Sequence, residues 1–444
     1  MSGTANGGER LFTHVAPFSN TDPSPAMKPD PEESVEADIV IGPREQLFHL
    51  LAEASEIEHT LMCSYLYAAF SLKGPAVEEL SAPETAAVMR WRKQILGVAT
   101  EEMVHLLLVS NLSIALGGRP HFGRPNFPVA PGYFPSGVTV KLTPFSDATL
   151  DHFIFLERPR GADHRDGEGF EAENNYERAE AHYGLMPSVQ DYATIGHLYD
   201  ALRANLTASA NRLGEHALFI GPVAAQVGPD AVQLDGVATI CDLRSALAAI
   251  DTIVEQGEGS RANIEDSHYQ RFLNMQSEYR ELLNRNPSFA PSWPVAESPV
   301  MRRPPEPEDK VFIDDPRAAQ VLDFANAVYG LLIRFLLQAF GRQGPSASAV
   351  QRGYIGAAID LMHVMGRVCA ALTTLPASPA RPGLNAGMSF TMLRSVEPFF
   401  AGEAERQLVA ERLTELRHGA RAVGRILPAL KDLEAAVAAI TIFR

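Results

Sequence analysis

The chain has 444 residues, with 54 Asp and Glu against 38 Lys and Arg, giving a formal net charge of −16. That acidic balance argues against nucleic acid or an anionic membrane as a main partner, since both reward clustered Lys and Arg. Cys63, Cys241 and Cys369 are far apart and odd in number, so neither a disulfide framework nor a thiolate metal site is expected, and a reducing cytoplasm fits.

The opening "MSGTANGGERLFTHVAPF" lacks the basic and apolar regions of a signal peptide, and no apolar run is expected to span a bilayer. Residues 1–42 are rich in Pro, Gly, Ser and acids and read as an extended or mobile arm. Helical periodicity begins over 44–73, resumes over 82–116 and stops at Gly117-Gly118. The stretch 117–187 is punctuated by Pro, Gly and aromatics. Within it "GVTVKL" predicts a short strand, and "SDATLDHFIFLERP" a short helix capped by Ser146 or Asp147.

Further helices are predicted over 188–213, from Asp242 to a break at Gly257 and Gly259, and over "IEDSHYQRFLNMQSEYRELLNR". Four core helices (44–73, 82–116, 188–213 and the one starting near 242) with one long crossover predict an all-α four-helix bundle. The expected domains are the arm at 1–42, the bundle at 43–290, a Pro-rich linker at 291–311 and a C-terminal helical domain at 312–444.

The second helix carries "VATEEMVHLLLVSNLSIALGG", an apolar run interrupted by Glu102 and His105 at i and i+3. Burying a carboxylate costs several kcal/mol unless a salt bridge or a metal compensates it. On the first helix Glu58 shares a stripe with Leu51, Ala54, Leu61, Met62 and Tyr65, while Glu56 and His59 are expected to point outward. Few basic residues lie in these stripes to pair with the acids. Acids and imidazoles projected from facing helices into one volume are the donor set of a carboxylate-bridged di-metal site. Tyr65 and Tyr67 read as packing aromatics before donors to ligands, and His363 as core.

Taken together, "EHTLMCSYLYAAFSLK", "VATEEMVHLLLVSNLSIALGG", "TIGHLYDAL", "IVEQGEG" and "SHYQRF" resemble the ferritin-like family of iminophenyl-pyruvate dimer synthases, which act in bisindole pathways such as those to violacein and rebeccamycin. The resemblance covers roughly 44–280 and implies a ferritin-like bundle with a second C-terminal helical unit, in a stand-alone relative of longer enzymes. It places Glu58, Glu102 and His105 among the metal ligands. His197 stands where the family pattern has Glu. The acid-x-x-His of the fourth helix is replaced by Glu255-x-x-Glu258, with Glu255 and His268 favoured and Glu258 the substitute.

The function implied is a non-haem, di-iron oxidase or oxygenase, with manganese as the alternative metal. It would act on a small aromatic or amino-acid-derived intermediate of secondary metabolism, with O₂ as partner. Phe122, Phe127, Tyr133 and Phe134 in the crossover would suit a flat apolar substrate. A metal-binding scaffold without turnover, or a mononuclear site, is the alternative. Homo-oligomerisation is left open.

Overall fold

The computed structural model describes residues 38–75, 77, 79–130, 133–134, 138–170, 187, 190–257, 265–304, 310–394 and 396–443. The expected arm, up to residue 37, lies outside them, as do Glu258 and the middle of the Pro-rich stretch at 305–309.

Four helices form the bundle. These are α1 (Arg44–Ser71), α2 (Ala82–Ala115), α4 (Ile195–Leu213) and α6 (Leu243–Gly257), which contact one another in a closed ring, α1 to α2 to α6 to α4 and back to α1. They are the four core helices expected. The start of α2 is fixed by Glu84, whose carboxylate accepts the Ser81 backbone N–H at 2.8 Å. Two further helices pack beside this frame. Helix α3 (Asp147–Leu156), capped by Ser146, packs on α7 (His268–Arg285), capped by Ser267. The single turn α5 (Glu215–Leu218) follows α4. The expected strand at "GVTVKL" is reduced to one bridge between Val129 and Val140, because that stretch has no longer partner beside it.

C-terminal to α7, Pro299–Val300 and Val311–Phe312 form a two-residue parallel pair, β1 and β2. Then come α8 (Pro316–Ala339), α9 (Ala347–Leu372), α10 (Glu403–Ile426) and α11 (Leu433–Ala438). These helices continue the core of the bundle. Residues 37–444 form one compact unit, and Val295 and Ala296, inside the expected linker, are buried.

The central position of α1 corrects one expectation. His59 is fully buried, its ring meeting the Phe122 carbonyl at 3.0 Å and the Tyr329 hydroxyl of α8 at 2.7 Å. It faces the C-terminal helices, which a reading of the first helix alone could not supply as cover. His363 on α9, expected in the core, is exposed. A further correction concerns apolar length. Helices α2, α8 and α9 are long and apolar enough to cross a membrane by length and composition, yet 50 to 67 % of each apolar window is buried inside the fold.

Candidate metal centre

Three carboxylates and two imidazoles converge where α1, α2, the end of α3 and the start of α7 meet. Glu58 comes from α1, Glu102 and His105 from successive turns of α2, Glu157 from the C-cap of α3, and His268 is the first residue of α7. All five are buried. They form two clusters, Glu58, Glu102 and His105, and Glu102, Glu157 and His268, with the donor atoms of each within 4.8 Å of one another. Glu102 belongs to both. His105 Nδ1 lies 3.2 Å from Glu58 and 3.1 Å from Glu102, and His268 Nδ1 lies 3.1 Å from Glu102 and 3.6 Å from Glu157.

Each terminal ligand is held from behind. Tyr199 on α4 donates its hydroxyl hydrogen to Glu58, and Tyr65 on α1 donates to Glu157. His105 turns Nε2 to the Gln256 side-chain oxygen on α6 at 2.9 Å, and His268 turns Nε2 to Glu101 at 2.7 Å. Glu101 is in turn gripped by Arg271, at 2.9 Å to both oxygens. With Nε2 engaged outside, each ring presents Nδ1 inward, the arrangement that orients an imidazole for a metal. Tyr65 therefore does more than pack.

Charge is balanced within the group. Burial and the neighbouring Glu102 push Glu58 up to about 7. Burial works to lower His105, but Glu102 and Glu58 outweigh it and hold the ring at about 10. Burial likewise opposes the charged form of His268, which Glu101, Glu102 and Glu157 nevertheless raise well above its ordinary value. Burial raises Tyr65 and Tyr199 far above the ordinary phenol value, reinforced by Glu157 and Glu58 respectively, so both remain hydrogen donors.

The donor set fits a pair of cations. Glu102 Oε1 and His268 Nδ1 are buried and face each other at 3.1 Å, an ion pair when the ring is protonated and two inward-facing donors for a cation when it is not. Among the described residues no Lys or Arg forms an ion pair with Glu58, Glu102 or Glu157; their charged neighbours are the two imidazoles. Carboxylates with imidazoles suit iron, manganese or zinc.

Two expected ligands lie elsewhere. His197 is buried in the first turn of α4 but belongs to neither cluster. It sits two residues from Tyr199, about 200° around the helix, and Tyr199 is the residue that meets Glu58. Glu255 is exposed, and its neighbour Gln256 faces His105 instead. Glu157 was missed altogether. The available signal was a single acid ending the apolar run "HFIFLE". So α4 and α6 supply supports, and the second acid and second imidazole come from the α3 and α7 ends.

The centre borders a small cavity lined by Glu58, Glu102, His105, Glu157 and Tyr199, and also by Leu61, Leu156, Arg158 and Ile195. The last four also line an adjoining small apolar recess, together with Ile57, Phe134, Val138, Val140 and Tyr192. Of the four crossover aromatics expected to meet substrate, Phe134 lines this recess. Tyr133 is half-exposed and donates to Glu56 at 2.8 Å, and Phe122 and Phe127 are buried away from it.

The helical bundle thus gathers three acids and two imidazoles into two adjoining clusters that share one carboxylate, each able to hold a metal ion. The sequence matches the family described as "Ferritin-like" over residues 51–277, just over half of the chain, and the chain belongs to that family.

Two curated relatives sharpen the likeness. The chain is 29 % identical over 423 residues to a dichlorochromopyrrolate synthase from Lentzea aerocolonigenes, covering 86 % of this chain and 39 % of that one. It is also 29 % identical over 375 residues to a 2-imino-3-(indol-3-yl)propanoate dimerase from Chromobacterium violaceum, covering 77 % of this chain and 34 % of the relative. The chain thus spans little more than a third of the length of these relatives. A solved ferritin-like protein from Caulobacter vibrioides shares 19 % identity, covers 79 % of this chain and 99 % of its own, and superposes with a TM-score of 0.48.

Proposed function

We propose that this chain is a non-haem oxidoreductase that holds two iron ions, or manganese in their place, and oxidises or couples a small aromatic, amino-acid-derived intermediate with O₂ as the electron acceptor. The observation that carries the reading is the shared position of Glu102, with an acid and an imidazole on either side of it. A mononuclear site would leave the Glu157 and His268 cluster without a purpose. When bound, such a metal pair supplies one-electron redox chemistry and a place for O₂ to react.

The protein's own groups do the rest. Glu58 and His105 would hold one ion, Glu157 and His268 the other, and Glu102 both. Tyr199 and Tyr65 keep hydrogens on the outer carboxylates and fix their direction. The apolar recess marks the side from which a ring would approach, with Leu61 and Leu156 bordering both it and the cavity at the ligands. Arg158 lines both spaces and is anchored by donating to the Phe155 carbonyl and to the Ala193 carbonyl at 2.7 Å, its guanidinium 3.7 Å from the Phe155 ring centroid. The activities for which the two relatives are named, dichlorochromopyrrolate synthesis and dimerisation of an indolyl imino acid, agree with substrates of this kind.

Metal analysis of the purified protein is expected to find about two iron or manganese ions per chain, and Glu102→Ala with His105→Ala is expected to abolish them. The ferrous protein should consume O₂ faster when an aromatic imino acid is supplied. Full metal content in the double variant would overturn the site, and metal binding without O₂ consumption would leave only a metal-binding protein.

A further inference from the structure

The two halves of the metal centre have matching inner ligands but different supports, and this inference rests on the metal-centre reading. We propose that the two positions are unequal by construction: the one between Glu157 and His268 is the tight position that fills first, and the one between Glu58 and His105 is the weaker, open position that meets substrate.

Three observations carry this. The first is what stands behind each imidazole. His268 gives its outer N–H to a carboxylate, Glu101 at 2.7 Å, whereas His105 faces a neutral amide, Gln256 at 2.9 Å. A carboxylate behind a ligating histidine makes the ring a stronger donor, and such outer partners typically change metal affinity 10- to 100-fold. Arg271 does not cancel the effect. It is shared between Glu101 at 2.9 Å and Asp266 at 3.3 Å, so the group as a whole stays negative.

The second observation is access. Glu58, Glu102, His105 and Glu157 line the cavity, but His268 does not. Of the two imidazoles, His105 is thus the one that borders the open space. The third is rigidity. Glu101 is fixed by both oxygens to one guanidinium. One feature works the other way: His268 begins α7, whose N-terminus carries roughly half a positive charge. The full charge of Glu101, in direct contact with the ring, outweighs it.

The test uses the full-length metal-free protein under anaerobic conditions, with Mn²⁺ as the probe. Crystals given one equivalent of Mn²⁺ per chain are expected to show the anomalous peak beside His268 and Glu157. In solution, calorimetric titration is expected to show two steps. Glu101→Gln should weaken the first about tenfold and leave the second in place, and Gln256→Glu should strengthen the second and narrow the gap. A gain in affinity in the second variant is not a result that misfolding can produce.

A first Mn²⁺ beside His105, equal division between the positions, or a Glu101→Gln protein with an unchanged first step would each overturn the proposal while leaving the metal centre standing. Absence of Mn²⁺ from both positions would overturn the metal-centre reading and this inference with it.

Discussion

Glu58 keeps its place because one phenol reaches it. The Tyr199 hydroxyl, from a different helix, is the donor that satisfies the outer oxygen, while the inner oxygen lies 3.2 Å from His105. Replacing Tyr199 with Phe removes the donor hydroxyl and adds no polar group in its place. A buried carboxylate oxygen is then left without a donor, at a cost of about 1–3 kcal/mol. The expected outcome for Tyr199→Phe is a thermally weaker protein that binds its second metal about tenfold less tightly, read by metal titration beside a melting curve. Unchanged affinity would show that Glu58 is aimed by its own helix alone.

The same scale explains what could be read in advance. Glu58, Glu102 and His105 were legible because an acid inside an apolar helical stripe is expensive and asks for compensation. Glu157 carried no such mark, since a short helix in a Pro- and Gly-rich stretch gives no face against which an acid looks misplaced.

Among the elements, α1, α2, α4 and α6 were readable from periodicity, because each is long enough for its apolar spacing to stand out. Their division of labour was not. Whether a residue at the start of α4 or at the end of α6 faces the centre depends on the helix's roll, which neighbours set. A phase error of one or two residues turns His197 into Tyr199 and Glu255 into Gln256.

The connection between α5 and α6 shows how such phases are locked. Asn111 of α2 is fully buried; it accepts the Val227 N–H at 3.0 Å and donates to the Val227 and Ala238 carbonyls, each at 2.8 Å. One side chain thus ties the loop leading into α6 to the helix bearing Glu102. Asn111→Ala leaves these buried backbone groups without partners and should cost about 3 kcal/mol. Urea unfolding should show a lower midpoint at unchanged slope. An unmoved midpoint would mean that the loop is held by its apolar contacts.

At the level of the whole molecule, the Pro-rich stretch at 291–311 reads as a linker by composition, yet its early part is structural. The Ala296 N–H bonds to the Asn385 carbonyl and the Ser298 N–H to the Leu142 carbonyl, both at 2.8 Å. Those partners are distant in sequence, so no local pattern could announce them. The C-terminal helices hold together around a buried acid. Glu405 of α10 takes Arg342 at 3.0 Å and the Tyr354 hydroxyl at 2.6 Å, together with Gln338.

Burial alone would raise that carboxyl, but Arg342, Tyr354 and Gln338 hold it below the ordinary 4.5. A carboxyl depressed in the folded state contributes stability that is complete above its unfolded value. That contribution is lost as pH falls through the folded one. Stability should therefore drop below about pH 4.5. Glu405→Gln should cost on the order of 3 kcal/mol at neutral pH and flatten the acid limb, as measured by unfolding at a series of pH values. An acid limb identical to that of the unaltered protein would remove Glu405 from this role.

Glu58 and His59 are consecutive, yet one looks into the metal centre and the other meets Tyr329 of α8. That leaves α1 with no freedom to roll: any turn that improved one contact would tear out the other. A substitution that altered the phase of α1 would therefore be felt at once in the acid and imidazole cluster and at the seat of the C-terminal helices.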